Sequence, residues 1–127
     1  MPKVIPSREA AALVQDNMTV AVGGFITYGV PEDCLVSLQK RCVETSSPKD
    51  LHIAAVGDGA EGGANHFGEP GLCKRMICAH IGLEPRLNAL AVSNQIEAFL
   101  IPQGVASHLT RAIAGKKPRA LTHVGLK

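Results

Sequence analysis

The residues best suited to chemistry lie in three glycine-containing turns, each of which follows a short apolar segment. These turns begin at Gly23, Gly57 and Pro102. Glycine has no Cβ atom, so such a turn can adopt positive φ and let a ligand come close to the main chain. Backbone N–H groups in a turn of this kind favour an anion or a developing oxyanion. The sequence therefore predicts a binding site for such a group.

The first turn lies in the segment DNMTVAVGGFITYGVP, from Asp16 to Pro31, which has the order strand, glycine turn, helix. The apolar run from Val20 to Val22 is too short for a helix and predicts a buried strand. Pro31 fits the first position of a helix, and Glu32 suits the positive end of the helix dipole. A plain tight turn between a strand and a helix is the alternative explanation for the glycines.

Strand and helix patterns alternate along the remainder of the chain, which predicts one α/β domain with an open, mainly parallel sheet and helices on both faces. We expect further strands at 51–59, 75–80, 96–101 and 120–127, and helices beginning near Ser7, Pro31, Pro85 and Val105. The glycine-rich stretch 57–71 is expected to be a functional surface loop. Ligands bind at the carboxyl ends of parallel strands, so the three turns are expected to line one site.

Composition narrows the classes of function. The 127 residues include 3% aromatic residues and no Trp, and the net charge is +2, which argues against a nucleic-acid partner. No apolar run approaches the roughly 18 residues of a membrane span, and the N-terminus lacks a signal-peptide core, so we expect a cytoplasmic protein without a membrane partner. The four cysteines and five histidines are not spaced as zinc ligands, so we expect reduced thiols and no metal site.

The first turn resembles the signature of the family I coenzyme A transferases (the acetate, propionate and 3-oxoacid type). The matching positions are Asp16, Asn17, Val20, Gly23, Gly24, Phe25, Gly29 and Pro31. Further segments resemble the first, or alpha, half of these enzymes: NHF at 65–67, CKRMI at 73–77, NQIEA at 94–98, PQG at 102–104 and THVG at 122–125. NHF and PQG are most similar to members that use short acyl groups.

The resemblance implies a CoA-transferase alpha domain of the NagB/RpiA type. It also implies that CoA moves between a short-chain acyl-CoA and a free carboxylate such as acetate, through a glutamyl-CoA thioester. In this family the glutamate lies in a second, beta half, near a Glu-Asn-Gly motif that is absent from this sequence. We therefore expect residues 1–127 to be a C-terminally truncated first half that is inactive alone, works with the second half and forms a homo-oligomer.

The substrate-binding residues implied by the resemblance come from all three parts of the chain; they are Gly23, Gly24, Phe25, Gly29, Asn65, His66, Gln103 and Gly104. Gln103 can donate an amide hydrogen to a substrate oxygen. A solvated turn glutamine and a surface-loop histidine are the alternatives for Gln103 and His66. The resemblance implies no tightly bound cofactor, because coenzyme A enters as the acyl-CoA substrate.

Two other classes of function remain open from the sequence. One is a non-catalytic domain that binds a small molecule or an acyl-CoA with the same fold. The other, a dinucleotide-binding module, is less favoured because GGFITYG, at 23–29, lacks the GxGxxG spacing.

Overall fold

The computed structural model describes residues 4–26, 28–56 and 62–126. Helices and strands alternate through most of this part of the chain. In chain order they are α1 (Ser7–Ala12), β1 (Thr19–Gly23), α2 (Glu32–Thr45), β2 (Leu51–Val56), a 3₁₀ helix (Gly63–Gly68), β3 (Cys73–Cys78), α3 (Pro85–Val92), β4 (Glu97–Leu100) and α4 (Gln103–Ala114).

The four strands form one parallel sheet in the order β1-β2-β3-β4. Gly23 pairs with Val56 at the end of β1 and β2, and Cys78 pairs with Leu100 at the end of β3 and β4. Each connection moves one strand further in the same direction, so right-handed crossovers place the connecting segments on the same face. The parallel α/β sheet predicted from the sequence is confirmed.

A single hydrophobic core fills the space between this face and the helices. Leu51 and Ile53 of β2 and Met76 of β3 are buried there against Leu35 and Leu38 of α2. The apolar side of α2 therefore faces the sheet. Residues in a strand alternate between the two faces, and His52 and Ala54, which point away from the core, are only half-buried.

Helix α4 lies outside this layer. It contacts β2, but its buried Ala106 and Ala112 do not belong to the main core, which places α4 against the second face of the sheet. The edge strand β4 is poorly covered on both faces of the sheet. All four of its residues are exposed, including Phe99 and Leu100, which point to opposite faces.

The start of β1 is tied to the start of β2 by a carboxylate that accepts two hydrogen bonds. Asp16 Oδ1 accepts from Ser47 Oγ at 2.9 Å and from the Lys49 N–H at 3.1 Å. Asn17, whose φ is 61°, donates its N–H to the Lys49 carbonyl. These first two residues of the signature therefore lie at the amino end of the sheet and help to hold the strand register.

Two segments differ from the sequence predictions. Residues 63–68, expected in a surface loop, form a buried 3₁₀ helix because Phe67 packs into the core and is only 1% exposed. Residues 57–61 of that loop lie outside the described residues. The strand expected at 120–127 is absent from residues 120–126, which run beside α4 and contain a turn at Val124 and Gly125.

The start of α2 is shifted by one residue from the prediction, and α4 ends in a left-handed turn. Pro31 is the N-cap of α2 rather than its first helical residue, and its carbonyl accepts the first helical hydrogen bonds. At the end of α4, Gly115 is the C-cap, and Lys116 takes the left-handed position with φ of 54°. The chain then folds back, since the Lys117 N–H donates to the Ala112 carbonyl, as in a Schellman motif.

The turn between β1 and α2 is closed by a reciprocal pair of hydrogen bonds between Phe25 and Tyr28, each 2.9 Å long. Gly24 and Gly29 have φ of 136° and 69°. A Cβ atom on Gly24 would also lie 2.5 Å from Val30 Cγ2. The turn therefore requires glycine at position 24 for both its dihedral angle and its packing.

Alanine substitutions at the three glycines of this turn should lower the free energy of unfolding by different amounts. Gly24→Ala should lower the free energy of unfolding by more than about 2 kcal/mol, because strain and a clash coincide. Gly29→Ala should cost about 1–2 kcal/mol, the usual penalty of the left-handed conformation, since space is open around it. Gly23→Ala is the control, with open space and no positive φ, and should stay within about 0.5 kcal/mol. Urea unfolding measures the series, and equal losses at all three positions would contradict it.

Candidate active site

The loops that follow β1 and β2 meet at the carboxyl end of the sheet. The Gly63 N–H donates to Glu32 Oε2 at 2.8 Å, which joins the start of α2 to the start of the 3₁₀ helix. A Cβ atom on Gly63 would lie 3.6 Å from Val30 Cγ1 and 3.9 Å from the Ile26 carbonyl oxygen. The β1–α2 turn and the Gly62–Gly63 segment are therefore direct neighbours.

His66 bridges the same two elements through both of its ring nitrogens. Its Nε2 lies 2.7 Å from Glu32 Oε1, and its Nδ1 lies 2.6 Å from Gln39 Oε1. The orientation of the Gln39 amide follows from its other contact, in which Nε2 donates to Glu69 Oε2 at 3.1 Å. His66 therefore links α2 to the 3₁₀ helix through both ring nitrogens, and we call these two contacts the His66 clamp.

The clamp continues toward α3. Asn65 is buried, and its Oδ1 accepts a hydrogen bond from the Arg86 N–H at 3.0 Å. Arg86 also lies 3.9 Å from Glu69, the partner of Gln39. Beside these residues is a cavity of about 350 Å³, lined by Gln39, Asn65, His66, Pro85 and Arg86. The polar groups of this cavity are mostly engaged with one another.

The eight site residues predicted from the sequence fall into three groups at the same edge of the sheet. Gly23, Gly24, Phe25 and Gly29 form the β1–α2 turn, where Phe25 is 56% exposed. Asn65 and His66 lie in the 3₁₀ helix next to that turn. Gln103 and Gly104 begin α4, after β4.

The third group lies apart from the other two. Strands in a sheet are about 4.8 Å apart, so β4 is about 14 Å from β1 across three intervals. The structure thus brings together the first two groups and leaves Gln103 at the far side of the same edge. A substrate in contact with all three groups must span the width of the sheet.

The buried cysteines of this fold do not offer an activated thiolate. Burial raises the pKa of the Cys73 thiol to about 12, against a smaller opposing contribution from the Arg75 N–H. Burial also raises the pKa of Cys42, and the charges of Glu69 and Asp16 add to this effect. Because the thiolate is the nucleophilic form, neither residue fits a catalytic nucleophile. The carboxyl edge of the sheet offers main-chain groups for binding instead.

The described ranges 4–26, 28–56 and 62–126 show neither a metal centre nor a membrane span. Within them, no cluster of three or more His, Cys, Asp or Glu side chains could hold a metal ion. None of the helices in these ranges combines the length and the hydropathy needed to cross a membrane.

Two features of the site were missed by the sequence interpretation. Ile26 has φ of 57°, an unfavourable conformation for a β-branched residue that often marks a functional turn. Glu32 was interpreted only through the helix dipole, although it connects two loops. Its position just after a glycine turn was the available signal, but its partner Gly63 is 31 residues away in the sequence.

The Glu32–His66 pair should stabilise the fold in a pH-dependent way. The hydrogen bond from His66 holds the pKa of Glu32 below its ordinary 4.5; burial opposes this shift, and the Gly63 hydrogen bond and the charge of His66 support it. A carboxyl whose pKa is lower in the folded state stabilises above its unfolded pKa and loses that contribution as pH falls through its folded pKa. The favourable coupling should therefore be present at about pH 7 and should vanish as the solution is acidified below pH 4.5.

A double-mutant cycle measures this coupling without the helix-dipole contribution of Glu32. The four proteins are wild type, Glu32→Ala, His66→Ala and the double variant, each unfolded in urea at about pH 7 and at successively lower pH. Zero coupling at neutral pH, or coupling that persists after acidification, would rule out the clamp.

Comparisons with known proteins show what this chain is similar to. A family model described as Coenzyme A transferase matches residues 6–125. Caffeate CoA-transferase of Acetobacterium woodii is 37% identical over 129 residues, covering 99% of this chain and 25% of that protein. Acetate CoA-transferase YdiF of Escherichia coli K12 is 31% identical, covering 97% of this chain and 24% of that protein. One subunit of a probable succinyl-CoA:3-ketoacid coenzyme A transferase of Bacillus subtilis is 30% identical, covering 99% of this chain and 52% of that polypeptide.

The fold is also that of a solved relative. Acyl-CoA transferase YdiF of E. coli O157:H7, in a thioester complex with CoA, superposes with a TM-score of 0.87 at 30% identity, over 96% of this chain and 25% of that one. This chain therefore spans about a quarter of the length of the first relatives and about half of the Bacillus subtilis polypeptide. The match over residues 6–125 and the shared fold together show that the chain is a member of the coenzyme A transferase family.

Proposed function

We propose that this chain is the substrate-side part of an acyl-CoA:carboxylate CoA-transferase. The observation that carries the proposal is the location of the family signature. Its glycine turn lies at the carboxyl end of β1 and contacts the loop after β2, where the fold exposes main-chain groups to a ligand. Gly24, Phe25 and Gly29 would bind the acyl group and the carboxylate.

The nucleophile in this proposal comes from outside the chain. A glutamate carboxylate attacks the thioester carbonyl, CoA leaves as the thiolate, and a mixed anhydride forms. The thiolate then attacks the glutamyl carbonyl, which releases the first carboxylate and leaves a glutamyl-CoA thioester for the acceptor acid. Glu32 is a poor candidate for this role, because its two oxygens are already bound to Gly63 and His66. Splitting the exchange into such steps is the usual advantage of covalent catalysis.

The acyl group in this proposal is short, such as acetyl or propionyl, and the acceptor is a small carboxylate such as acetate. The similarity to an acetate CoA-transferase supports this choice. The caffeate CoA-transferase relative carries a name that points to a larger, aromatic acid, so caffeate is the natural competitor to test. A cytoplasmic location stays a prediction from the sequence.

The partner in this proposal is a second, beta half, and the complex is a homo-oligomer of such pairs. Exposed apolar side chains support the need for a partner, since large apolar residues without cover mark contact surfaces. Phe99 and Leu100 on β4 are about half exposed, and Leu121 is 89% exposed. The Bacillus subtilis relative is named as one subunit of its transferase, which also supports an enzyme made of two parts.

Reconstitution should show that the chain works only with its second half. CoA transfer from propionyl-CoA to acetate is followed for this chain alone, for a candidate second half carrying a Glu-Asn-Gly motif, and for their mixture. We expect turnover only in the mixture, and none when the motif glutamate is replaced by Gln. Activity of this chain alone would contradict the proposed source of the nucleophile.

Two glutamine variants of this chain, compared in the active mixture, test whether Gln103 contributes to turnover. Gln103→Ala should lower turnover at least about tenfold if its amide stabilises a substrate oxygen. Gln15→Ala is the control, because this exposed glutamine lies before β1, near the opposite edge of the sheet. A mixture that binds acyl-CoA but never transfers CoA would favour a non-catalytic binding domain.

A further inference from the structure

His80 lies just after β3, at the edge of the sheet that carries the candidate site. Because β3 ends at Cys78, His80 is the second residue of the loop that leads to α3. Cys78 before it and Ile81 after it are 0% and 5% exposed, whereas His80 itself is exposed. The core therefore anchors this loop on both sides of a ring that solvent can reach.

The pairing of β3 with β4 sets His80 beside the start of α4. The Ile101 N–H donates to the Cys78 carbonyl at 2.9 Å, so the ladder between the two strands continues past the end of β4. Counting this register onward sets His80 level with Pro102, the residue directly before Gln103. His80 is therefore a neighbour of the third group of predicted site residues.

The pairing of β3 with β2 and of β2 with β1 sets His80 level with the glycine turn as well. Ala54 of β2 pairs with Ile77 of β3 on one side and with Ala21 of β1 on the other. Three residues further along, this register reaches His80 just after β3 and Gly24 just after β1. Strands are about 4.8 Å apart, so His80 is about 5 Å from the line of β4 and about 10 Å from that of β1. It lies within the interval that separates Gln103 from the other predicted site residues.

The ring of His80 has both of its nitrogens available for a ligand. Within residues 4–26, 28–56 and 62–126, no group forms a hydrogen bond or an ion pair with this ring. His66 differs, because both of its ring nitrogens contact side chains of α2. An imidazole carries at least one N–H donor in either protonation state, so the free ring of His80 suits an oxygen that bears negative charge.

We propose that His80 is a catalytic residue that donates a ring N–H to the acyl oxygen of the substrate, an inference that rests on the proposed function. This oxygen gains negative charge when the external glutamate attacks the thioester carbon, and it is a carboxylate oxygen once the acid is released. A donor held beside such an oxygen stabilises the charge that develops in the transition state. The ring keeps its proton, because attack by a carboxylate and departure of the thiolate balance without proton transfer.

CoA transfer in the active mixture tests this role with matched variants. His80→Leu removes the donor and should lower kcat/KM at least about tenfold. His80→Gln keeps an amide N–H donor and should recover most of that loss. His52→Leu is the control, because His52 lies near the amino end of β2, at the opposite edge of the sheet, and should leave kcat/KM nearly unchanged. Thermal unfolding checks that all three variants are folded.

An NMR titration tests the same contact without turnover. The imidazole signals of His80 are followed in this chain alone as acetate is added, with sodium chloride at equal ionic strength as the comparison. We expect acetate, and not chloride, to shift the signals of His80, while those of His52 stay unchanged. Unchanged His80 signals would overturn the inference and leave His80 as a solvated loop residue.

The kinetic variants give a second way to overturn it. Full activity of His80→Leu would exclude a catalytic role, and equal losses in His80→Leu and His80→Gln would indicate packing rather than hydrogen bonding. Failure of the inference is distinguishable from failure of the proposed function. A mixture that transfers CoA equally well with His80→Leu overturns the role of His80 alone, whereas a mixture without any transfer contradicts the proposed function and leaves the acetate titration to decide the contact.

Discussion

The candidate site depends on a carboxylate that joins two loops at the same edge of a parallel sheet. Parallel pairing brings the carboxyl ends of β1 and β2 to this edge, but pairing alone does not fix the loops beyond the strands. Glu32 does so by accepting hydrogen bonds from the Gly63 backbone and from His66. The glycine turn, the 3₁₀ helix and the first turn of α2 therefore form one rigid support for a ligand.

Local patterns in the sequence were sufficient to predict the parallel α/β architecture. The strands were predicted from short apolar runs at Val20 and Leu51, and two of the helices from the prolines at 31 and 85. Each of these signals depends only on neighbours a few residues away. The buried 3₁₀ helix was not predictable in this way, because Phe67 is buried by contacts made across the core. The prediction of a strand at 120–126 was wrong for a similar reason, since a strand needs a partner strand and not only apolar residues.

The sequence predicted which residues lie at this edge of the sheet, but not which of them contact one another. The glycines of the β1–α2 turn and the 3₁₀-helix residues lie side by side as expected, whereas Gln103 lies across the sheet. His66 was expected to meet substrate, but both of its ring nitrogens bind side chains of α2.

Amide hydrogen exchange at Gly63 tests most directly whether Glu32 holds the two loops together. The Gly63 N–H is followed by NMR in wild type and in Glu32→Ala, with a β2 amide such as that of Ile53 as the internal reference. We expect Gly63 to exchange much faster in the variant, together with amides of the β1–α2 turn, while Ile53 keeps its protection. Unchanged exchange at Gly63 would show that the loops are held by other contacts and would contradict the central role of Glu32.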